Sequence, residues 1–152
     1  MTDTRRERER QRHRSEILSV AVRLFSDKGF SNVSMQEIAT AAEFAVGTLY
    51  NFFSSKEALF EEMIQDCAES IVRDLSAILD GPGDEVDRLR AFIRRQPALL
   101  EKHADLIKVY VSEIGTRGVK CRKDGPKGRV SAAVDAKIER LVESGVRKGL
   151  FH

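Results

Sequence analysis

The 152-residue sequence has no tryptophan, only two cysteines and only three prolines. Cys67 and Cys121 lie far apart, which argues against a disulfide framework and for the cytoplasm as compartment. No apolar run approaches the ~18 residues that a bilayer-spanning helix needs, so no membrane partner is expected. The opening stretch, MTDTRRERERQRHR, has no apolar segment of the kind a secretory signal carries. No segment alternates apolar and polar residues for long enough to read as a strand. There is no internal repeat, and with a formal net charge of +2 neither sign of charge dominates. What is present is a 41% hydrophobic and 33% charged chain, more charged than the ordinary ~25% of a globular domain. A chain of this length buries roughly 70% of its unfolded surface, enough for a core without staples.

Catalytic and metal-binding patterns are also missing. His13, His103 and His152 share no helix face with a cysteine or a carboxylate cluster at ligand spacing. His103, beside Glu101 and Asp105, reads as a surface pair. The glycine-rich stretch from Gly115 to Gly128 lacks the G-x-x-x-x-G-K-[ST] order of a phosphate cradle. No enzyme activity, metal or cofactor is expected. Cys121, among Lys120, Arg122 and Lys123, has two readings: a thiol with lowered pKa that senses oxidants, or an incidental residue of a basic loop.

Charge is unevenly placed. Residues 1–56 hold nine Lys/Arg against seven Asp/Glu, residues 57–116 seven against thirteen, and residues 117–152 ten against four. The acidic middle is unsuited to a phosphate backbone, whereas the ends suit one. Apolar residues recur at helical spacing throughout. Ile17, Leu18, Ala21, Leu24 and Phe25 stripe one face of a helix from about Arg12 to Lys28 that stops at Gly29. Ser34 to Glu37 and Ser54 to Glu57 are capping-box sequences. The first opens a short helix with Ile38, Ala39 and Ala42 inside. A tight break at Glu43-Phe44 separates it from an apolar segment, Val46 to Phe53. The second box opens a helix of about 25 residues, nearly 40 Å long, ending at Gly81-Pro82-Gly83. Further stripes predict helices around Val86–Ile93, disturbed near Pro97, around Leu106–Ile114, and around Val134–Val146. Residues 115–129, with four glycines and six basic residues, read as a mobile loop. The fold class is all-α.

One longer helix followed by two short ones across a tight turn suggests a helix-turn-helix, whose second helix enters a major groove. The residues Ile17-Leu18, Ala21, Leu24-Phe25, Gly29-Phe30, Val33-Ser34-Met35, Ile38-Ala39, Ala42, Gly47-Thr48-Leu49-Tyr50, Phe53 and Ser55-Lys56-Glu57-Ala58-Leu59 add order and spacing to that pattern. In both, the chain resembles a TetR-type transcriptional regulator over roughly residues 15–60. Beyond Phe60 the resemblance is weaker.

The resemblance implies a charged N-terminal arm (1–14), a three-helix DNA-binding domain (15–56, motif 35–54), and a helical ligand-sensing and dimerisation domain (57–152). Ser34 would cap its helix and also touch a phosphate, or only cap. Gln36 would reach a base edge. Gly47 and Thr48 open the recognition helix; the glycine lets the backbone approach DNA, and the threonine offers a hydroxyl and a methyl. Tyr50 and Lys56 would meet phosphates, and Asn51 would pair with adenine. Leu49 and Phe53 read as core.

Several positions depart from the family pattern. Glu43 stands where glycine is usual, so the turn must accept a left-handed residue or change. Ala45 forgoes a serine cap worth about 1 kcal/mol. Val46 replaces a basic residue, leaving an apolar contact in the DNA-binding set, and Phe44 replaces a smaller aliphatic. Arg5, Arg6, Arg8, Arg10, Arg12 and Arg14 would supply affinity from an adjacent groove, or form a solvated arm interleaved with Glu7 and Glu9.

The resemblance also implies a pocket for a small hydrophobic effector, with Phe60, Met63, Ile64, Cys67, Phe92, Ile107 and Tyr110 as its candidate lining, or as plain core. The chain also looks C-terminally short for the family, which would leave Val134, Ile138, Leu141 and Val146 uncovered. The expected function is that of a ligand-responsive regulator, a repressor binding a palindromic DNA operator as a homodimer. The alternative is a truncated interaction module that pairs with a full-length regulator without binding DNA itself.

Overall fold

The computed structural model describes residues 4–117 and 126–151. Among these described residues there are seven α-helices and no strand. They are α1 (Arg5–Lys28), α2 (Met35–Ala41), α3 (Val46–Phe52), α4 (Lys56–Leu79), α5 (Glu85–Lys102), α6 (Ala104–Arg117) and α7 (Pro126–Arg147). A 3-10 turn, Phe30–Asn32, joins α1 to the stretch before α2. The chain forms two compact units: Met1–Ile64 with Asp105–Arg117, and Gln65–Ala104 with Gly118–His152. The first unit thus takes in α6, and α4 contributes to both.

In the first unit, Ile17, Ala21 and Phe25 of α1 are buried with Ile38 and Ala39 of α2, Leu49 of α3, and Phe53 and Leu59 beyond it. Phe25, Phe30 and Phe60 form an aromatic cluster with ring centroids 5.0 to 6.3 Å apart, in tilted and edge-on arrangements. α6 is tied in by polar bonds to the end of α1. Ser26 Oγ donates to Asp105 at 3.0 Å, and Lys108 Nζ donates to the Ser26 carbonyl at 3.1 Å.

α1 starts at Arg5, seven residues before the expected Arg12, so most of the N-terminal arm is helical. Thr4 caps it, accepting from the Glu7 amide at 3.3 Å. Two i,i+4 ion pairs, Arg5–Glu9 at 3.1 Å and Arg12–Glu16 at 2.9 Å, run along its exposed face.

The second unit packs Leu75, Leu79, Phe92, Leu99, Val134 and Leu141 into one core. This corrects the expected apolar surface on α7. Val134 and Leu141 are buried against α4 and α5, and Ile138 packs on the same core, while Val146 is exposed. α5 runs unbroken through Pro97 rather than being disturbed there. The expected loop 115–129 is helical at both ends, since α6 continues to Arg117 and α7 starts at Pro126. Its middle, with Cys121, lies outside the described residues. At the end of α7, Gly149 adopts φ +70°, and Phe151 folds back onto Gly145, where a Cβ would lie 2.2 Å from its ring.

One buried charge stands out in this unit. Glu85 opens α5 and is 3% exposed. It accepts from Lys148 at 2.7 Å and Ser144 at 2.6 Å, which hold its carboxyl at a pKa of about 2. His103 closes α5 half-buried, with a buried Nε2, instead of forming a surface pair. Burial and the Lys102 charge push its pKa down, against the pull of Asp74.

Candidate nucleic-acid interface

Local rules build the interface from Ser34 onward. Ser34 Oγ accepts from the Glu37 amide at 3.1 Å and so caps α2. The reciprocal half of the capping box is absent. Glu37 instead pairs with Lys28, whose hydrogen bond chiefly holds its pKa below the ordinary carboxylate value. α2 ends in a Schellman motif: the Phe44 amide bonds the Ala39 carbonyl at 2.9 Å and the Glu43 amide bonds that of Thr40 at 3.2 Å. That geometry needs a left-handed residue, and Glu43 supplies it at φ +61°. The turn therefore keeps its form and carries the strain of a side chain there.

α3 follows with no side-chain cap at Ala45. Leu49, fully buried, anchors it, and Phe53 is buried just beyond. Its outer face carries Gly47, Tyr50 and Asn51, all exposed, with Val46 and Thr48 half-buried. Tyr50 is 52% exposed, unusual for a residue with so large a ring. At Gly47 nothing lies within 4 Å of where a Cβ would be, so packing within this chain does not demand a glycine.

Ser34, Gln36, Val46, Tyr50 and Lys56 line one shallow groove of about 530 Å³, together with Ser31, Asn32, Val33 and Met35. Gly47, Thr48 and Asn51 lie on α3 outside that lining. Lys56 is placed differently from a free phosphate ligand. Its Nζ donates to the carbonyls of Phe30 and Val33, each at 2.8 Å, and sits 4.4 Å from the Phe30 ring centroid. It therefore ties the 3-10 turn to the start of α4. The cap of α4 is Ser55, accepting from the Ala58 amide at 3.0 Å, rather than Ser54.

Of the candidate effector lining, Phe60 packs in the Phe25–Phe30 cluster, and Met63 and Ile64 are buried. Ile107 and Tyr110 are half-buried in the same unit. Cys67 and Phe92 belong to the second unit. The Cys67 thiol is half-buried, and burial raises its pKa against the opposing charge of Lys102.

Sequence reasoning missed Ser31 and Asn32 on the groove, and two aromatic contacts made by α1. His13 meets Phe44 edge-on at 5.2 Å, and the Arg10 guanidinium lies 5.5 Å from the Phe52 ring centroid. The one signal in the sequence was Thr4-Arg5-Arg6-Glu7, itself a capping-box order that places the helix start ahead of the arginines.

Comparison with known proteins agrees with this geometry. Residues 17–63 match the model of the bacterial regulatory proteins, tetR family. Over those residues the chain carries a TetR-type helix-turn-helix domain. The repressor NicS of Pseudomonas putida is 25% identical over 96% of this chain and 69% of its own length. The repressor KstR2 of Mycolicibacterium smegmatis is 30% identical over 66% of this chain and 49% of its own. The chain thus spans about half to two-thirds of the length of these curated relatives. A TetR family transcription regulator from Marinobacter aquaeolei shares the fold with a TM-score of 0.72, at 21% identity over 93% of this chain and 73% of that one. No helix among the described residues is long and apolar enough to cross a membrane.

Proposed function

We propose that this chain regulates transcription by binding operator DNA through α3 and the groove beside it, acting as a repressor. The observation that carries the reading is the outer face of α3. It offers an aromatic hydroxyl, an amide side chain and a bare glycine backbone to a partner, in a segment where the family model matches. Tyr50, Ser34 and Thr48 would meet phosphates, and Gln36 and Asn51 would read base edges. Val46 would add an apolar contact. Lys56 keeps one proton free after its two carbonyl bonds, so its part is chiefly to hold the Ser31–Ser34 rim in place.

Reading a palindrome requires two recognition helices about one duplex turn apart, and hence a homodimer. A small hydrophobic effector favouring a different placement of the two helices would release DNA by population shift. α4 is the natural carrier of that coupling, because it contributes to both units.

The test is fluorescence anisotropy of a duplex from immediately upstream of the encoding gene, beside a scrambled duplex, at two salt concentrations. The reading predicts preference for the upstream duplex, tighter at low salt, and a clear loss in Tyr50→Ala at unchanged stability. Weak, equal binding to both duplexes would favour the interaction module that pairs with a full-length regulator.

A further inference from the structure

We propose that the arginine-rich start of α1 is a brace for the recognition helix, with Arg10 and His13 as positioning residues. The part of this that concerns DNA rests on the function proposed above; the brace itself does not. α3 is poorly secured by its own residues. It has seven residues, where isolated helices under ~12 are marginal in water. It lacks a side-chain cap and follows a non-glycine left-handed residue. Both of its ends, however, are met from outside. Phe44, just ahead of Ala45, packs against His13, and Phe52, its last residue, lies under Arg10. Positions 10 and 13 are three apart on a helix and therefore share a face.

α1 is built to hold that face still. Thr4 caps it, ion pairs with Glu9 and Glu16 run along it, and Arg14 binds Glu62 of α4 at 2.8 Å. Three of the six arginines are thus engaged by carboxylates of this chain and Arg10 by a ring. The segment acts through position, not only as a source of positive charge.

Hydrogen exchange of residues 46–52 in the DNA-free full chain, read with operator affinity across salt, tests this. Phe44→Leu with Phe52→Leu removes both ring partners and alters no charge. The brace predicts exchange in α3 about tenfold faster, with α2 unchanged, and operator affinity about tenfold weaker at an unaltered salt slope. Arg10→Lys, which keeps a cation for the ring, should retain most of the protection. Ala45→Ser, which supplies the missing cap, should restore it in the double variant. If the leucine variant fails to fold, Arg10→Ala at an exposed site carries the same exchange readout. Unchanged α3 exchange in Arg10→Ala, with the salt slope reduced by about 0.9, would make Arg10 a phosphate contact and overturn the brace. Faster α3 exchange in these variants, together with a parent chain that binds no operator, would uphold the brace and sink the DNA-binding reading instead.

Discussion

α2 and α3 are both seven residues long, lie next to each other in sequence, and are held in different ways. α2 has a serine cap, an external ion pair through Glu37, a Schellman closure and three buried side chains, Met35, Ile38 and Ala39. α3 has no cap and one buried side chain, Leu49. α2 is secured by its cap, its closure, three buried side chains and the pair with Lys28; α3 has Leu49 and the ring contacts at its two ends. A helix that presents its outer face to a partner cannot also bury that face, so its stability must come from elsewhere.

The largest effect should come from removing the single anchor. Leu49→Ala is expected to cost about 3 kcal/mol in urea denaturation, and to melt α3 before α2 in hydrogen exchange. Lys56→Met keeps the apolar stem but removes both charged hydrogen bonds to the Phe30 and Val33 carbonyls, and should lower stability by about 2 kcal/mol. This separates Lys56 from Tyr50, whose replacement should leave stability unchanged. The capping contrast can be inverted. Ser34→Ala should destabilise by about 1 kcal/mol and Ala45→Ser should stabilise by a similar amount, making the two helices more alike. Glu43→Gly should relieve the left-handed strain and gain about 1 kcal/mol, visible as a higher Tm. The smallest effect is acid sensitivity confined to α2. The Glu37 pKa lies below its unfolded value, so its contribution is complete above that unfolded value and fades as pH falls through the folded one. Exchange in α2, and not in α3, should quicken across that interval.

Much of this contrast was legible in the sequence. Ser34 three residues before Glu37 marked the cap, Ala45 marked its absence, and Glu43 marked a turn that must either strain or change. The stripe of α1 followed from spacing, and the core roles of Leu49 and Phe53 from the family resemblance. What escaped depended on partners distant in sequence. Lys56 reads as a free cation until the Phe30 and Val33 carbonyls are brought to it from more than twenty residues away. Glu37 reads as half of a capping box until Lys28 competes for it. Arg10 and His13 read as part of an arm because charged residues carry no stripe, although their helix is announced by Thr4 and Glu7. On α7 the apolar stripe was visible, but not which of its residues face the second unit's core.

The most direct test of the account is Gly47→Ala, followed by denaturation and by operator titration. Nothing in this chain occupies the space of the added methyl, and alanine is the better helix former. If the glycine is there so that DNA can approach the backbone, the variant should be more stable by a few tenths to about 1 kcal/mol and bind operator about tenfold more weakly, a loss of about 1.4 kcal/mol. A variant that gains stability and binds operator as tightly as the parent would contradict the assignment of the outer face of α3 as the DNA-reading surface.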